Sequence, residues 1–189
     1  MGLLITGILL WSIVHLVPGA APQLKLKVTE TLGGGAYRAV FSALIVISLV
    51  CMVFGWRNTA PTALYGPADG MRVVTGALML VALVLFFSSR VPTDIKRGIR
   101  HPQLTGVFLW AVAHLIANGD SRSLVLFGGL GVWAIIEMLV INRRDAAWVK
   151  PETVGAKRSF VPVFIGTVAW IALVLAHPWI AGVPAMPDL

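Results

Sequence analysis

Two histidines, His15 and His114, each stand four residues after a tryptophan in nearly the same heptad: LWSIVHL over residues 10–16 and LWAVAHL over residues 109–115. On an α-helix positions i and i+4 share a face, so Trp11 lies beside His15 and Trp110 beside His114. Both heptads sit inside apolar runs, where an imidazole is tolerated only if it faces the bundle interior and finds a partner. That partner can be a neighbouring helix or the lipid headgroups, which makes the motif a packing feature. It can also be a metal centre, because two neutral imidazoles on facing helices among flat apolar side chains are what a six-coordinate haem requires. Zinc fits less well, since it wants three or four ligands and no third histidine stands in register. The single cysteine, Cys51, excludes a CxxC pair and an intramolecular disulfide. Trp133 and Glu137 repeat the spacing with an acid in place of the imidazole. His177, ahead of a proline and beside Trp179, reads as an interfacial residue.

The elements that must position these side chains are strongly apolar. Hydrophobic residues make up 58% of the 189 and charged residues 12%, a balance that excludes a water-soluble domain of this size. Six segments, at about 1–17, 37–56, 71–89, 104–118, 121–141 and 159–179, suit helices across a hydrocarbon layer of roughly 30 Å. The fourth is the shortest. The fold expected is therefore all-α, an integral membrane bundle of about six transmembrane helices forming one domain over residues 1–189. Polar stretches at about 19–36, 90–103 and 142–158 leave little for an extramembrane domain. The PGAAP after the first segment looks like a signal-peptide cleavage site, but the segment lacks a basic n-region and Pro22 suits cleavage poorly, so a retained helix is expected.

A net charge of +7 could signal nucleic acid, but the basic residues lie in the connections. Those after the first, third and fifth segments, with adjoining helix ends, hold 12 of the 15: Lys25, Lys27, Arg38, Arg90, Lys96, Arg97, Arg100, Arg143, Arg144, Lys150, Lys157 and Arg158. The other side has Arg57, Arg72 and Arg122. The positive-inside rule then places the basic connections in the cytoplasm and both termini in the periplasm. Membrane lipids are the implied partners, through their anionic headgroups, and no nucleic acid is implied. In that topology straight helices would put His15 and His114 at depths differing by about 6 Å, a gap that tilt or a partly embedded loop would remove. Copies of a motif separated by three helices would also be inverted in the membrane, with functional groups near the midplane.

Between the third and fourth segments stands RGIRHPQLTG, residues 97–106. Pro102 fits the first turn of a helix, which puts Arg100 and His101 at its mouth, where they can bind a carboxylate or phosphate or simply anchor the interface. The NRRDAAW of the fifth connection supplies a second basic cluster, Arg143 and Arg144, on the same side.

HLVPG after the first Trp, RHPQLTGVFLWAVAHLIANGD and the following SLVLFGG resemble the NnrU family of bacterial membrane proteins, over nearly the whole chain. The resemblance implies a multi-pass protein of the bacterial cytoplasmic (inner) membrane associated with denitrification. There the family is linked to production of active nitrite and nitric oxide reductases, with respiratory or denitrification complexes as possible partners. The plant and cyanobacterial 15-cis-zeta-carotene isomerases are similar to this family. They carry haem b, and the histidines implicated as its ligands fall on His15 and His114, with Trp11 and Trp110 beside them. The resemblance thus also implies a haem-dependent carotenoid or other isoprenoid isomerase as an alternative. The isomerase, however, has a cysteine three residues before its second ligand, and that position here is Ala111. Membrane methyltransferases that use S-adenosylmethionine share an Arg-His-Pro ahead of a glycine, with a downstream acidic and basic cluster resembling Glu137, Arg143 and Arg144. They usually have an aromatic residue in the motif, where this chain has Gln103 and Leu104. A third reading is a non-enzymatic assembly or regulatory factor for a respiratory complex.

Overall fold

The computed structural model describes residues 1–68 and 70–186. In chain order the helices are α1 (Gly2–Ala20), α2 (Pro22–Arg57), α3 (Met71–Ser88), the single turn α4 (Ile95–Gly98), α5 (Pro102–Ala117), α6 (Ser121–Ser123), a π-helical turn (Leu124–Gly128), α7 (Gly129–Asp145) and α8 (Ala156–Ala181). No strand occurs among the described residues beyond an isolated bridge between Ala63 and Asp120. The fold is an all-α membrane bundle: among the described residues five helical stretches, with Ser121–Asp145 continuous as one, are long and apolar enough to cross a bilayer, and α5 is a shorter sixth. The 16 residues of α5 span about 24 Å, less than the hydrocarbon layer. Large apolar side chains such as Val73, Leu139 and Phe160 point outward, as they do where lipid is the solvent.

One boundary differs from the sequence reading. The polar stretch expected as a connection at about 19–36 is mostly helical, because α2 starts at Pro22 and runs to Arg57. Hydropathy detects only the part that crosses hydrocarbon, whereas good helix formers behind a proline at the first turn continue the helix into the interface. The break falls at Gly33, whose φ of 80° and ψ of 151° are open only to glycine at little cost. Lys25 and Lys27 thus lie on a helix.

The chain forms two compact units, and neither is a contiguous half. Unit 1 is Met1–Leu64 with Asp120–Ala147, and unit 2 is Tyr65–Gly119 with the chain from Trp148 onward. The fifth apolar segment thus joins the first two, and the sixth joins the third and fourth.

In unit 1, Leu4 and Ile8 of α1 and Met52 of α2 form a buried cluster against which Trp11, Trp56 and Leu130 pack. The π-helical turn widens the helix ahead of α7 by one residue per turn, re-aiming the face that follows. Trp133, Ala134 and Glu137 are buried on that face.

In unit 2, α3 packs against both α5 and α8. A Cβ at Gly106 would lie 2.6 Å from the Ala82 carbonyl oxygen, so only a bare backbone permits this approach of α5 to α3. Thr75 of α3 donates to the Ala113 carbonyl at 3.2 Å. The other end of the unit is fastened by Asp94, whose carboxylate accepts the N–H groups of Val154 at 2.9 Å and Gly155 at 3.2 Å. Its own N–H donates to Ser159 Oγ at 2.9 Å.

The Val154 N–H foremost, with Gly155, Ser159 and the Arg97 guanidinium, holds the Asp94 carboxyl below the usual range. The native state therefore binds this proton more weakly than the unfolded chain. The clasp stabilises fully above the ordinary Asp pKa of about 4 and is lost as pH falls through the lower native value. Asp94→Asn is expected to lower the melting midpoint at neutral pH and to flatten its decline below about pH 4. An acid limb identical in variant and unmodified protein would sink this account.

Candidate functional site

His15 lies on α1 among three aromatic rings. Its centroid is 4.2 Å from Trp11, 5.2 Å from Trp133 of α7 and 5.6 Å from Phe41 of α2. Trp11 meets Trp133 edge to face at 5.6 Å. The contacts advance together along both helices, from Trp11 and His15 against Trp133 to Gly19 beside Glu137 and Val140, so α1 and α7 run parallel. The i, i+4 spacing that puts Trp11 under His15 also puts Glu137 one turn beyond Trp133 on the buried face of α7.

His15 Nδ1 lies 2.9 Å from the Trp11 carbonyl oxygen. A carbonyl only accepts, so Nδ1 carries the hydrogen, and in the neutral ring Nε2 then holds the lone pair. Metal-ligating histidines are oriented in this way, with one ring nitrogen fixed by a hydrogen bond and the other basic. His114 of α5 repeats the arrangement in unit 2. Its Nδ1 is 2.9 Å from the Trp110 carbonyl oxygen, and the two rings are 5.2 Å apart. The Asn118 amide donates to the His114 carbonyl at 2.9 Å, binding the last turn of α5. The repeated heptad is thus a repeated local geometry.

Among the buried polar atoms of unit 1 that find no hydrogen-bond partner among the described residues are Nε1 of Trp11, Nε1 of Trp133 and Oε2 of Glu137. Such atoms are costly in apolar surroundings, on the order of 1–3 kcal/mol each, and mark a place where water or a ligand belongs. The tryptophan nitrogens are carried by the two rings that flank His15.

Arg143 and Arg144 end α7 with exposed side chains, and Arg144 forms a bidentate pair with Asp145 at 2.7 and 3.1 Å. Arg100 and His101 stand in unit 2 ahead of Pro102, which takes the first turn of α5 as the motif predicts. Both are engaged in interactions there. The two clusters assigned to a methyltransferase-like site therefore belong to different units. Among the described residues no three or more His, Cys, Asp or Glu side chains group as a metal site.

Several neighbours are invisible to motif reading. Trp133 and Phe41 reach His15 only through helix packing. His177 is fixed by the Val183 carbonyl oxygen, 2.6 Å from its Nδ1. Tyr65, just ahead of α3, caps α5: its one hydroxyl hydrogen is shared between the Leu115 carbonyl and, at 3.0 Å, the Asn118 carbonyl. An isolated tyrosine in a polar connection carries no sequence signal of that role.

The family model described as NnrU protein matches residues 3–185 of the chain. No curated protein matches it, and neither does any solved structure.

Proposed function

The chain belongs to the NnrU family, and from that premise we propose that it is a haem b protein of the bacterial cytoplasmic membrane, with His15 and His114 as the residues that would hold the haem, serving the production of active nitrite and nitric oxide reductases. The observation that carries this reading is the pinning of both Nδ1 atoms to the carbonyl four residues back, which leaves both Nε2 atoms basic. The surroundings suit a flat macrocycle. Trp11, Trp133 and Phe41 present ring faces and edges to His15, and Trp110 does so to His114. Bound haem would supply one-electron chemistry, with two imidazoles imposing a low-spin state. The protein's own part is to hold the rings in one tautomer and one orientation. Ala111, buried three residues before His114, offers no thiol for ligand exchange, which favours a supporting role in reductase maturation over isomerisation.

The test is optical. Protein purified from cells supplied with haem should show a Soret band, and reduction should sharpen the α and β bands. A colourless preparation overturns the reading.

The same proposal puts both termini in the periplasm, on the distribution of basic residues. Reporter fusions after residue 60 should then read periplasm, and those after residues 95 and 150 cytoplasm. A cytoplasmic signal at 60 would reverse the orientation.

A further inference from the structure

Where α1 ends, α2 begins and α7 makes its last turns, unit 1 opens a cleft of about 670 Å³, within the range of small-molecule sites. Gly19, Ile136, Leu139 and Val140 give it an apolar lining. Gly19 lets α1 approach α7 closely at the inner wall, since a Cβ there would lie 2.8 Å from Val140 Cγ1. Ile136 and Leu139 are 42% and 61% exposed on a helix that crosses the membrane. The cleft therefore opens sideways into hydrocarbon.

Its outer end is cationic. Arg143 and Arg144 line it there. Arg144 is occupied by Asp145, while Arg143 pairs with no acid among the described residues. Long basic side chains at a helix end lay their stems on apolar surface and keep their heads at the interface.

We propose that this cleft binds one anionic phospholipid from the surrounding leaflet, its phosphate on Arg143 and one acyl chain along Gly19, Ile136 and Leu139. Charge complementarity selects the head. The lining, apolar and open to hydrocarbon, selects a molecule that arrives from the bilayer. A zwitterionic lipid brings the same phosphate with an ammonium beside it and loses most of the net attraction to Arg143. The inference does not depend on haem.

Native mass spectrometry of the full chain, equilibrated in detergent with equal amounts of phosphatidylglycerol and phosphatidylcholine, tests it. Retained phosphatidylglycerol should exceed phosphatidylcholine by about fivefold, the effect of one basic residue at a membrane surface. Arg143→Gln should bring the ratio to about one, while Arg57→Gln, at the opposite end of α2, leaves it unchanged. Leu139→Trp, which fills the lining, should lower retention of both lipids at an unaltered ratio. Equal retention of the two lipids by the unmodified protein overturns the proposal, as does an Arg143→Gln ratio like that of the unmodified chain. Displacement of the lipid by millimolar glycerol phosphate overturns it too, since that would reveal a site for a soluble anion.

Discussion

Replacing either His15 or His114 with alanine is expected to abolish the low-spin spectrum, leaving haem-free protein or a five-coordinate, high-spin species. Each ring is positioned by its own helix through a 2.9 Å bond to the carbonyl four residues back, so removing one leaves the other intact. If both hold one haem, as proposed, the two losses act on one site. The double variant should therefore be little worse than either single variant, because costs at a shared site are not additive. His177→Ala is the control, since that ring is held by the Val183 carbonyl at 2.6 Å, and its removal should leave the α and β bands in place. Trp133→Leu should keep the haem but alter its spectrum, because Trp133 touches the His15 ring at 5.2 Å without supplying a ligand nitrogen. If one histidine matters and the other does not, the repeated heptad is a packing feature.

A methyl group added at Gly119 should be among the most damaging single changes outside the aromatic cluster. A Cβ there would stand 1.8 Å from the Tyr65 carbonyl oxygen, a distance no rotamer change can relieve because both partners are backbone. Tyr65 also donates its N–H to the Gly119 carbonyl at 3.1 Å, and its hydroxyl caps the last carbonyls of α5. Helix ends leave four carbonyls without intrahelical partners, and here the segment ahead of α3 satisfies some of them. Gly119→Ala must push that segment away, with an expected cost above about 3 kcal/mol. For a chain of this size the melting midpoint should fall by about 6 °C or more. Tyr65→Phe keeps the packing and loses only the hydroxyl, for about 1–2 kcal/mol. Thermal unfolding followed by tryptophan fluorescence measures both, and a Gly119→Ala midpoint equal to that of the unmodified protein would refute the close approach. The outcome bears on the site because Asn118, next to Gly119, holds the carbonyl of His114.

What the sequence by itself determined is the local part. Apolar runs of sufficient length become membrane helices whatever surrounds them, since backbone groups in hydrocarbon must bond within the segment. The Trp-x-x-x-His spacing then sets ring beside ring and ring nitrogen beside carbonyl, because the helix turns 3.6 residues at a time. Pro102 at the first turn of α5 followed from the same local rules. Only the tertiary structure decided which helices keep company. The fifth apolar segment joins the first two in unit 1, which brings Trp133 to His15 and Glu137 to the wall at Gly19. Hydropathy is nearly uniform around these helices, so it does not mark which face meets protein and which meets lipid. That choice rests on shape: where a glycine lets backbones touch, where a π-helical turn re-aims a face, and where Tyr65 reaches a helix end. Such fits are made between residues distant in the chain, and no periodicity within one segment encodes them.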